Sequence, residues 1–161
     1  MAAGRPAPMG ALLLATLGIV TWFALVIAGF GFLSLLLDAD VVPESDAGPV
    51  FGTLVIVVAG AILFMLLRRW LRTMPSGAAV FLTAAVAVWG TQLVIGTVGY
   101  TLISARLAEL LAYPIRHAIS PFTLMAALVA GAVAAGVLAL RRSGGSVDAP
   151  PRWPWENDDE T

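Results

Sequence analysis

The chain has 161 residues, 60% of them hydrophobic and 12% charged, with a net charge of -1 and no cysteine. A soluble domain of this size carries roughly a quarter charged residues, so most of this surface is expected to lie out of water. Disulfides, thiolate metal sites and cysteine nucleophiles are excluded, and the charge balance gives no pull toward nucleic acid. All nine basic residues are arginine. With abundant Ala, Gly, Val and Pro, that usage points to a GC-rich bacterial genome.

Residues 1–8 form a short N-terminus bearing Arg5. Residues 9–37 follow as the first apolar run without a formal charge. A helix rises about 1.5 Å per residue, and about 20 residues cross the hydrocarbon core. This run is therefore longer than needed and predicts a tilted span. It is also about twice the usual core of a cleaved signal peptide and has no polar cleavage region, so it reads as a retained span.

"DADVVPESDAGP", residues 38–49, carries Asp38, Asp40, Glu44 and Asp46 and no base. Closely spaced carboxylates can hold calcium, but a calcium loop needs an oxygen ligand at its fifth position and glycine at its sixth. Counted from Asp38 these are Val42 and Pro43. The pattern fails, and a solvated outer loop is expected.

The second span, residues 50–67, is close to the minimum length. It runs into "LLRRWLRTMPSG", which is read as a short loop carrying Arg68, Arg69 and Arg72. The third span covers residues 77–104 and the fourth residues 119–140, closely followed by Arg141 and Arg142. Alternation over four spans puts six arginines near the membrane on one side and two, Arg106 and Arg116, on the other. Positive charge is retained in the cytoplasm. Both termini and the Arg68–Arg72 segment are therefore expected inside a plasma membrane, and the acidic loop outside.

Within the third span, Thr83, Gly90, Thr97 and Ser104 recur every seven residues, with Ala87, Val94 and Thr101 between them. Gln92, Gly96 and Gly99 form a second small or polar patch. Lipid-facing positions gain nothing from being small, so both patches are expected to meet other helices, making this span the most enclosed. Thr83, Gly90, Gln92, Gly96 and Thr97 are the candidate packing or pathway residues. Gln92 is the one strongly polar side chain deep in a span. It is read as interhelical hydrogen-bond glue, with a permeation or substrate site as the alternative. In the fourth span Ala127, Gly131, Ala135 and Ala139 repeat at i, i+4, the spacing that lets backbones approach closely.

The segment "ARLAELLAYPIRH" joins spans three and four. It is expected to be an interfacial helix ending before Pro114, with Leu107, Leu110 and Leu111 on one face and Arg106 paired with Glu109. His117 is the one histidine. A zinc site needs three or four protein ligands, so solvent or headgroup contact is expected for it. The tail, residues 141–161, has the composition of a disordered, solubilising segment. Its "PPRWPW" can form polyproline II and dock a partner, or place Trp153 and Trp155 at the interface.

The fold expected is all-α, with four transmembrane helices in one bundle. This architecture, the "GFGFLSLLLDAD" exit from span one and the "RWPWE" tail resemble an uncharacterised family of small four-span actinobacterial membrane proteins. The resemblance covers most of the chain. It carries no known activity and so implies no functional residues.

There is no His-Glu-x-x-His, nucleophile elbow or phosphate loop, and the spans supply neither a nucleophile with its base nor paired carboxylates. No enzymatic activity, metal or cofactor is expected. The first functional reading is a structural or accessory component of a membrane assembly. Its partners would be the bilayer and another membrane protein or further copies of itself. The second is a small pore, holin-like channel or transporter, which should show a polar stripe along a whole span.

Overall fold

The computed structural model describes residues 8–38 and 48–143, and every element in them is a helix. These are α1 (Pro8–Leu37), α2 (Gly48–Thr73), α3 (Gly77–Ser104), α4 (Glu109–His117) and α5 (Pro121–Ser143). Four are long and apolar enough to cross a membrane: Gly10–Leu37, Val50–Thr73, Gly77–Ser104 and Pro121–Ser143. The chain is an all-α, multi-pass membrane protein. In hydrocarbon no water can satisfy a peptide group, so each crossing segment closes its own hydrogen bonds as a helix.

The ends of the helices are written into the sequence. The Ser76 hydroxyl accepts from the Ala79 N–H at 3.4 Å and caps α3. Pro8 and Pro121 open α1 and α5, where the missing N–H costs nothing. Asp38, Met74 and Ala105 have φ of 47°, 50° and 54°, each just past the end of α1, α2 and α3. This left-handed residue turns the chain out of the helix and lets orphan carbonyls find donors. The Met74 N–H, for example, bonds the Trp70 carbonyl at 2.7 Å.

The long helices form a four-cornered bundle. α1 and α3 each pack on both α2 and α5, and α2 meets α5 across one diagonal. Gly18 lies beside Leu67 and Val137, Gly60 beside Phe23, and Gly131 beside Phe81, so neighbours run antiparallel. The buried face of α3 is Val80, Ala84, Val88, Gln92, Gly96 and Tyr100. That of α2 includes Phe51, Val55, Ala59, Leu63, Leu67 and Leu71. Both are rows of every fourth residue, which run obliquely to the helix axis and seat in the grooves of the partner.

Several expectations change. α2 continues to Thr73, so Arg68, Arg69 and Arg72 stand on its last turns rather than in a loop. Arginine is a good helix former, and its long side chain reaches water from a helix end. Arg141 and Arg142 likewise belong to the last turn of α5. α5 is the most enclosed span rather than α3: 50% of its most apolar stretch is buried, against 22% for α3. The alanines at 126, 130 and 134 let it contact three long helices. Asp40, Glu44 and Asp46, the "PPRWPW" segment and the expected tail disorder lie outside the described residues.

α4 also departs from expectation. It runs through Pro114 to His117. The Leu110 carbonyl that Pro114 leaves unbonded sits on a half-exposed side of the helix, where water or a headgroup can reach it. Glu109 pairs with Arg116, Nη2 to Oε2 at 2.8 Å. Arg106 precedes the helix, so its three-residue spacing to Glu109 does not bring it onto the same face.

Candidate functional site

α5 has 23 residues where α1 has 30, and it begins at Pro121. At the end of the bundle away from Arg68, Arg69 and Arg72, one corner is therefore only partly filled. α4 lies across it. The result is a cavity of about 360 Å³ bounded by α1, α2, α3, α4 and the first turn of α5.

Aromatic rings make much of its wall: Phe23 and Phe30 from α1, Phe51 from α2, Tyr113 and His117 from α4, and Phe122 from α5. Phe30 meets Phe122 edge-on, with centroids 5.5 Å apart. A second series joins three helices. Phe51 lies 6.4 Å from Tyr100, Tyr100 lies 5.5 Å from Tyr113, and His117 stacks on Tyr113 at 4.0 Å. Gly96 makes this possible, because a methyl group there would come within 2.6 Å of the Tyr113 ring. Gly99 admits Phe51 in the same way.

Two indole N–H groups tie the walls together. Trp22 donates to the Ala126 carbonyl at 3.1 Å and joins α1 to α5. Trp89 donates to the Ala118 carbonyl at 2.9 Å and joins α3 to the turn before α5. Toward the arginine-bearing end the core closes. Trp22, Leu63, Leu67, Leu71, Val80, Val88 and Leu138 are fully buried. At that end Arg142 donates to the Pro75 carbonyl, fastening the end of α5 to the turn between α2 and α3.

Gln92 and Thr123 are the buried polar residues among the described ones, each 7% exposed, and both line the cavity. Gln92 donates an amide hydrogen to the Val88 carbonyl at 3.4 Å, within its own helix. A carbonyl can only accept, so the amide nitrogen makes this bond and Oε1 is the group's acceptor. Thr123 occupies the first turn of α5. Thr83 and Thr91, set deeper in α3, bond back to Ala79 and Ala87 at 2.6 and 2.7 Å.

The candidate residues therefore separate. Gln92 and Gly96 come together at the cavity, as one patch. Thr83 is exposed, nothing lies within 4 Å of a methyl group added at Gly90, and Thr97 is half-buried. The heptad spacing of that stripe follows a straight line along the helix, whereas the packed row is oblique. In α5, Ala127 and Gly131 are buried, Gly131 against the Phe81 carbonyl, while Ala139 is exposed. His117 is half-exposed and also lines the cavity. Its i, i+4 spacing from Tyr113 was the available signal. Thr123 gave no signal, since its place in the lining depends on where α5 begins.

The arrangement can bind an uncharged apolar or amphipathic molecule. Among the described residues no carboxylate or arginine lines the cavity, and its titratable groups are Tyr113 and His117. Among the described residues no three His, Cys, Asp or Glu side chains cluster as a metal site would require.

No curated protein and no solved structure matches the chain. One family does match, over residues 7–161, and the chain belongs to it: the family of unknown function DUF6121.

Proposed function

We propose that the protein is a non-enzymatic structural or accessory component of an assembly in the bacterial plasma membrane, with both termini in the cytoplasm. The observation that carries this reading is where polarity stops. Gln92 and Thr123 both line the cavity, and the half of the bundle toward the arginines is filled by Trp22, Leu63, Leu67, Leu71 and Leu138. A conducting path needs polar or wettable groups along the full span. Thr83 is exposed and Gly90 has open space beside it, which gives room for a neighbouring helix to approach closely. Orientation rests on the arginines gathered at the ends of α2 and α5.

The test is ion flux through liposomes carrying the purified protein, run beside mild cross-linking in native membranes. The reading expects flux at the level of empty liposomes and a discrete cross-linked product. Steady flux above that level, abolished by Gln92→Leu, would establish a small pore instead.

A further inference from the structure

We propose that the cavity beside α4 binds a neutral, membrane-dissolved lipid with a flat, carbonyl-bearing head, of the quinone class. Four observations converge on that chemistry.

The first is hydrogen-bonding capacity on the cavity wall. Gln92 and Thr123 are each more than nine-tenths buried and line the cavity. After its bond to Val88, Gln92 retains one amide hydrogen and its carbonyl. The Thr123 hydroxyl belongs to the same lining. An amide N–H and a hydroxyl suit a ligand carbonyl, and the N-terminal end of the α5 dipole favours the same acceptor.

The second is shape. Phe23, Phe30, Phe51, Tyr113, His117 and Phe122 surround one space of about 360 Å³. Small-ligand sites run from about 300 to 1,000 Å³, so this one holds a ring and the start of a tail. Rings on several walls favour a planar guest by stacked and edge contacts.

The third is charge. Among the described residues no Asp, Glu or Arg lines the cavity. An ionised head would be buried with no permanently charged partner on these walls, which is costly in a membrane interior. Fatty acids and phospholipid headgroups are therefore the wrong chemistry.

The fourth is access. Ile27 on α1 and Val57 on α2 line the cavity yet are 70% and 50% exposed. They mark a mouth between α1 and α2 within the spans, on the side facing lipid. A guest enters from the bilayer and leaves its tail there.

The experiment measures the thermal stability of the purified protein in detergent while ubiquinone-1 or menaquinone-1 is titrated. Geranylgeraniol serves as a neutral isoprenoid without a carbonyl ring. The expected result is a saturable rise in Tm with a quinone and none with the alcohol. Thr123→Val and Gln92→Leu together should weaken quinone binding at least tenfold while leaving the ligand-free Tm at or above the parent value. A merely structural role for these residues predicts a fall in that Tm. Ile27→Trp, at an exposed position, should block entry without unfolding the bundle. Equal binding of geranylgeraniol overturns the assignment of the head, and no saturable shift with either quinone overturns the site.

Discussion

The imidazole of His117 lies flat on the ring of Tyr113, with centroids 4.0 Å apart and planes 9° from parallel. The two residues are one helical turn apart on α4. His117 Nδ1 also lies 3.0 Å from the Tyr113 carbonyl. That carbonyl accepts, so Nδ1 carries the proton and the ring is held in one orientation. Tyr113 in turn fills the space above Gly96 and contacts Tyr100, which docks α4 on α3. Tyr113→Ala should cost about 3 kcal/mol, the low end for losing a buried aromatic ring. It should also expose α4 to proteolysis, which limited digestion of the purified protein would register.

Gly96 and Gly90 lie on the same helix and predict opposite outcomes. Gly96→Ala pushes a methyl group against the Tyr113 ring at 2.6 Å and should destabilise by about 1–3 kcal/mol. Gly90→Ala meets open space, and removing a helix-interior glycine should stabilise by up to about 1 kcal/mol. Paired melting curves in detergent decide this. Equal effects at both positions would mean that the buried row on α3 is misassigned.

The Trp22 indole is fully buried and its N–H holds α1 to α5 through the Ala126 carbonyl. Trp22→Phe loses that bond and leaves a small void, at about 1–3 kcal/mol. Trp89→Phe loses a similar bond at a half-buried site and should cost less. Denaturation of the two variants side by side checks the order.

Gly131 is where α5 comes closest to the α3 backbone, because an added methyl group would lie 2.8 Å from the Phe81 carbonyl oxygen. A backbone atom cannot swing aside as a side chain can. Gly131→Leu should therefore cost at least about 3 kcal/mol, at the upper end for overpacking. Gly136→Leu, facing open space on the same helix, should stay within about 0.5 kcal/mol of the parent. Similar losses in both would refute the close approach.

Four spans were legible in the sequence because hydropathy and the demand for satisfied peptide groups act locally. The bounds of α3 came out residue for residue, Ser76 supplying its start. The end of α2 did not, since a charge-based boundary stops at Arg68 while the helix carries its arginines to the bundle end. Gln92 and Gly96 were recognisable as buried, being polar or small where lipid favours neither. The cavity was not, because it depends on the late start of α5 and on α4 crossing the open corner. Those are relations between elements that no single-helix periodicity encodes. The place of His117 in the cavity wall depends on the same docking, although its stacking partner Tyr113 stands one turn back on its own helix.

The orientation of the bundle underlies the whole account and is open to one direct measurement. The native chain has no cysteine, so single cysteines can be placed at Leu107, 81% exposed beside α4, and at Ser76, in the turn after α2. Intact cells would be treated with a membrane-impermeant thiol reagent, then permeabilised and treated again. The expectation is that position 107 is labelled in intact cells and position 76 only after permeabilisation. Labelling of position 76 in intact cells with position 107 protected would invert the bundle, placing the arginine-bearing ends outside and the cavity on the cytoplasmic side.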